Sequence, residues 1–127
     1  MTANPYAAYA KLDEQDLSKE ELLVEAYERI LEKLRMAVIA IEEEDIKAKA
    51  ELLSKVTDAL VVMKASLDFE KGGEIARNLN DIYEFCIFEL LKANAHNDVD
   101  AVKNVISVLL PIYEGFKEVV ENAKDKG

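Results

Sequence analysis

Tryptophan is absent, cysteine and histidine occur once each, and the chain has only four glycines and two prolines. Each scarcity excludes something. A lone Cys86 cannot form an internal disulfide, which suits a reducing cytoplasm, and there is no Cys-x-x-Cys pair for zinc or dithiol chemistry. His96 has no Glu-x-x-His partner motif, so a di-iron bundle is not encoded. Gly72-Gly73 lacks the spacing of a phosphate-binding loop. No apolar run approaches the roughly 18 residues of a membrane span. The opening MTANPYAAYAKLDEQ has no basic region followed by an apolar one, so it does not read as a signal peptide. Basic residues are also in the minority: the formal net charge is -10 and the pI about 4.6, a field that repels nucleic acid phosphates and anionic membranes. The carboxylates fall mostly on polar faces and read as solvated surface. No catalytic residue, cofactor or metal ligand is expected, and the chain does not read as an enzyme.

What is present is apolar periodicity. Half of the 127 residues are hydrophobic, enough for one domain with one core. With so few helix breakers, the pattern predicts an all-α fold: an antiparallel up-down four-helix bundle over residues 18–124, with helices near 18–42, 45–68, 73–95 and 97–123, preceded by a tail or short helix over 1–17. Ser18 and Glu21 form a capping-box pattern, with Leu17 and Leu22 placed as a hydrophobic staple. The first core face runs through Leu23, Ala26, Tyr27, Ile30, Leu31, Leu34, Val38 and Ile41. Asp45 is placed to cap the second helix, whose face is Ile46, Leu53, Val56, Leu60, Met63 and Leu67. Gly72 and Gly73 free the backbone for the next turn. The third face carries Ile75, Ala76, Leu79, Ile82, Tyr83, Cys86, Ile87 and Leu90; Cys86 reads there as a small buried hydrophobe. Asn97 is placed to cap the fourth helix, with Val99, Val102, Ile106, Leu109, Tyr113, Phe116 and Val120 facing inward and Pro111 bending it.

Some apolar residues lie off these stripes. Leu52, Ala59 and Val62 fall beside the second core face, and Phe85 and Phe88 lie off the third. They have two readings: a wider core, or a partner groove between the second and third helices. In the tail, Tyr6, Tyr9 and Leu12 share one helical face that could dock on an apolar groove.

Several motifs together resemble the FliS family of flagellin-specific secretion chaperones of bacterial flagellar export, over nearly the whole chain. They are the opening Asn4-Pro5-Tyr6-Ala7-Ala8-Tyr9, the run Ser66-Leu67-Asp68-Phe69-Glu70-Lys71-Gly72-Gly73-Glu74-Ile75-Ala76 with Asn78-Leu79 and Tyr83, and Ala93-Asn94 before Asn97-Asp98. The chain departs from the family at Lys19, where proline is usual, at Ala26-Tyr27-Glu28-Arg29, where Leu-Tyr-Asp-Gly is usual, and at Phe116, where tryptophan is common. The resemblance implies a cytoplasmic bundle that binds the disordered C-terminal segment of flagellin, blocks premature assembly and delivers flagellin to the export gate. It implies cargo contact on the hydrophobic surface, for which Leu52, Ala59, Val62, Phe85 and Phe88 are the candidates. It also implies a tail, with Tyr6 and Tyr9, that covers part of the groove when cargo is absent. Leu67, Asp68, Gly73, Leu79 and Tyr83 are expected to hold the turn and the core. Without the motifs, periodicity alone is equally compatible with a divergent paralogue or generic adaptor for another amphipathic helix, or with a homodimer interface at Phe85 and Phe88.

Overall fold

The computed structural model describes residues 14–126, with side chains from 19 to 125. Four helices follow one another: α1 Glu14–Glu42, α2 Ile46–Ala65, α3 Phe69–His96 and α4 Val99–Lys126. The links over 43–45, 66–68 and 97–98 are too short for a crossover, so each helix packs antiparallel on the one before it. α1 also packs on α4, which closes the ring and makes α1 and α3 diagonal neighbours.

The core is the set of stripes the periodicity predicts, trimmed at the edges. Tyr27, Leu31 and Leu34 of α1 meet Leu53, Val56 and Leu60 of α2, Leu79, Tyr83, Cys86 and Leu90 of α3, and Val102, Leu109 and Phe116 of α4. Tyr27 and Tyr83 share a buried hydroxyl–hydroxyl hydrogen bond of 2.5 Å across the diagonal, so their polar tips are satisfied inside an apolar layer. The Tyr27 ring also lies 5.9 Å from that of Phe116, tilted by 59°.

Five expected core positions move outward. Ile46 is 52% exposed, because it is the first residue of α2 and projects from the end of the bundle. Val38 and Ile41 sit at the edge while Ala37 and Ala40 take the centre of α1. On α4, Val105 and Ile112 are buried while Ile106 and Tyr113 pack at the rim.

The helix ends correct the reading more sharply. α1 runs back through Ser18 to Glu14, so Ser18 is not its cap and the box does not start the helix there; no residue between Glu14 and Ser18 breaks a helix. α1 ends in a Schellman turn without glycine: Asp45 N–H donates to Ala40 O at 2.8 Å and Glu44 N–H to Ile41 O at 3.1 Å, with Glu44 at φ +58°. Asp45 caps α2 as expected, accepting from Ala48 N–H at 3.1 Å. α2 stops at Ala65, short of residue 68, because Asp68 caps α3 instead, accepting from the N–H groups of Glu70 and Lys71. α3 thus begins before the glycines and takes a kink at Gly73 (φ 52°, ψ -124°). Asn97 does not cap α4; it closes α3 in the left-handed conformation, and Asp98 Oδ1 receives the Ala101 N–H at 3.1 Å. α4 continues through Pro111 without interruption, and the carbonyl that the missing N–H would have met belongs to exposed Ser107. The tail residues Tyr6, Tyr9 and Leu12 lie outside the described residues.

Candidate functional site

A domain of this size leaves scattered apolar side chains at its surface; a contiguous set is informative. Val61 of α2 and Phe69, Phe88 and Leu91 of α3 are all large, exposed and gathered along one groove between the two helices, with Phe88 at 66% exposure. Ala65 and Ile87 complete its apolar lining, and its volume is about 580 Å³. Phe85, also exposed, precedes Phe88 by three residues and so stands beside it on the outward side of α3. The polar members of the groove are Asn80, Lys64 and Glu84, and Lys64 Nζ lies 3.2 Å from the Glu84 carboxylate, joining α2 to α3.

The sequence-derived candidates do not all share this groove. Phe88 lies in it, and Phe85 flanks it. Val62 turns away by the roughly 100° that separates successive helical residues. It is 63% exposed and lines a second cavity, of about 430 Å³, with Leu22 and Leu23 of α1 and Met63, Leu67 and Tyr83. Leu52 and Ala59 are half-buried and pack against the core. Val61, Phe69, Leu91 and Leu22 were missed by periodicity. Each is a large apolar residue outside the expected core stripe, although Leu22 reads as a staple residue and Phe69 lies in the motif run.

A third, smaller apolar pair, Met36 and Ile39, lies on α1 beside Tyr113. Tyr113 donates its hydroxyl to Glu28 Oε2 at 2.7 Å, and the Lys117 ammonium stands 5.7 Å from its ring centroid. The bond to Glu28 raises the Tyr113 pKa, partial burial adds to it, and Lys117 opposes both.

Cys86 is fully buried, and burial first, with the Glu89 charge second, pushes its thiol up to about 12, the reverse of an activated nucleophile. Among the described residues no group of His, Cys, Asp and Glu is placed to hold a metal ion, and no helix is long and apolar enough to cross a membrane.

The family model described as Flagellar protein FliS matches residues 2–123. Among curated proteins, the chain is 35% identical over 127 residues to a flagellar secretion chaperone FliS of Salmonella typhimurium, covering 96% of this chain and 94% of the relative. It is 33% identical over 117 residues to the protein of the same name in Campylobacter jejuni, covering 92% and 91%. A Bacillus subtilis protein of that name is 23% identical, with 95% and 90% covered.

Proposed function

The chain belongs to the FliS family of flagellar secretion chaperones, and from that premise we propose that it binds the disordered C-terminal segment of flagellin in the cytoplasm, prevents its premature polymerisation and assists its type III export. The observation that carries this reading is the apolar groove between α2 and α3, which leaves Phe88, Leu91, Val61 and Phe69 exposed on a highly charged domain.

A flagellin terminal segment must bury apolar helical faces in the filament, so it is aggregation-prone before assembly. An amphipathic helix laid into a groove covers that face. Ordering a disordered segment costs several kcal/mol, which requires an extended contact. Both flanks of α2 supply one: the segment docks along Phe85, Phe88, Val61 and Leu91, and continues over Val62, with Leu52 and Ala59 beneath. The tail bearing Tyr6, Tyr9 and Leu12 competes for this surface, lowering net affinity so that cargo is released at the export gate. The protein is a binding module and catalyses no reaction.

Calorimetric titration with a peptide spanning the C-terminal region of the host's flagellin tests the reading. Saturable 1:1 binding with a negative heat-capacity change and a gain in helicity is expected. A folded protein that gives no heat and no added helicity sinks it.

A further inference from the structure

The α2/α3 groove is not apolar throughout. The Lys64–Glu84 pair crosses between its two walls at 3.2 Å, with both side chains partly open to solvent. On α3, Glu84 stands four residues from Phe88 on one side and four from Asn80 on the other, about 6 Å each way at 1.5 Å per residue. On α2, Lys64 sits between Val61 and Ala65. By sequence position, the pair therefore stands in the one groove between Val61, Phe88 and Leu91 on one side and Ala65 and Phe69 on the other.

We propose that Lys64 and Glu84 form a polar crossbar that sets the register and sequence pattern of the helix docked in this groove. The occupant carries two apolar anchors about two turns apart with a side-chain carboxamide, Gln or Asn, between them. This rests on the helix docking proposed above and names the chemistry it selects.

The physical argument is desolvation. A helix with an unbroken apolar stripe would press methyl groups onto an ion pair that is now hydrated, stripping its water and returning no hydrogen bond. A carboxamide presents an N–H donor to the Glu84 carboxylate and a carbonyl acceptor to the Lys64 ammonium, so it replaces the lost water on both. An acidic or basic side chain satisfies one partner and repels the other. The crossbar thus discriminates against the most adhesive helices, those that would be hardest to release.

The test uses the full chain and two designed helical peptides that differ only at the central position, Gln or Leu, between leucine anchors two turns apart. The unaltered protein is expected to bind the Gln peptide roughly tenfold more tightly, the equivalent of one imperfectly compensated buried charge. The variant Lys64→Met with Glu84→Met is expected to reverse the order. The same order in both proteins, or no binding of either peptide to the unaltered protein, overturns the crossbar. Should the double variant lose helicity by circular dichroism, Lys64→Met alone is expected to narrow the preference to below about threefold, and an unchanged preference overturns the proposal equally. The flagellin peptide is titrated in parallel. Discrimination between designed peptides without flagellin binding upholds the crossbar and sinks the flagellin reading; flagellin binding without discrimination does the reverse.

Discussion

Lys49 Nζ donates to Asn97 Oδ1 at 2.7 Å and to the Asn94 carbonyl at 2.8 Å, so one buried side chain at the start of α2 holds the C-terminal end of α3. The carbonyl is one of those a helix end leaves without a partner, and a cation there also meets the negative end of the helix dipole. Asn97 itself adopts φ +55°, which asparagine tolerates better than most residues.

Lys49→Met keeps the aliphatic stem and removes the donors. It is expected to lower stability by about 2 kcal/mol, the usual scale for hydrogen bonds from a charged group. Urea unfolding checks this; an unchanged midpoint would show that water replaces the ammonium at no cost.

Two positive-φ positions are expected to respond with opposite signs. Glu44 is a side-chain-bearing residue at φ +58° in a solvent-exposed turn, and Glu44→Gly is expected to raise stability by about 0.5–1 kcal/mol. Gly73→Ala meets no atom within 4 Å of its new Cβ, yet is expected to cost about 1–3 kcal/mol from backbone strain alone. Thermal denaturation of both variants reads the signs directly.

Phe88→Asp is expected to abolish binding of the flagellin peptide while leaving the far-UV circular dichroism unchanged, because the ring is largely exposed. Val62→Asp, on the other flank of α2, separates the surfaces: a loss of at least about tenfold is expected if the segment spans both. Unfolding of the Phe88 variant would assign that ring to the core.

Removal of residues 1–13 leaves α1 intact from Glu14 and is expected to tighten flagellin binding by relieving competition. Weaker binding after the truncation would mean that the tail contributes contacts to the complex instead.

Cys86 links stability to pH. Its folded-state pKa is raised from 9.0 to about 12, so the unfolded chain loses the proton first as pH rises. This contribution is fully present below pH 9 and is lost between pH 9 and 12, with a slope of at most about 1.4 kcal/mol per pH unit. Denaturant unfolding at pH 8 and pH 10 is expected to show a smaller fall for Cys86→Ala than for the unaltered chain. An equal fall in both would assign the alkaline loss to other groups.

The sequence by itself determined four helices and their order. Stripes such as Leu79, Tyr83, Cys86 and Leu90 repeat at the helical period, and links of two or three residues permit only antiparallel neighbours. It also determined the cap at Asp45, since that is a local bond between a carboxylate and a nearby N–H group. Tertiary structure decided what each flank of a helix meets. Periodicity gives an angle around one helix axis, but the rotation of that helix in the bundle and the identity of its neighbours depend on all four together. Thus Val61 enters the groove with Phe88 while adjacent Val62 faces α1, and Ile46 leaves the core because α2 begins there, at the end of the bundle. Asn97 closes α3 while Asp98 caps α4, and the Asn97 side chain accepts from Lys49, a partner 48 positions away that no local pattern reveals.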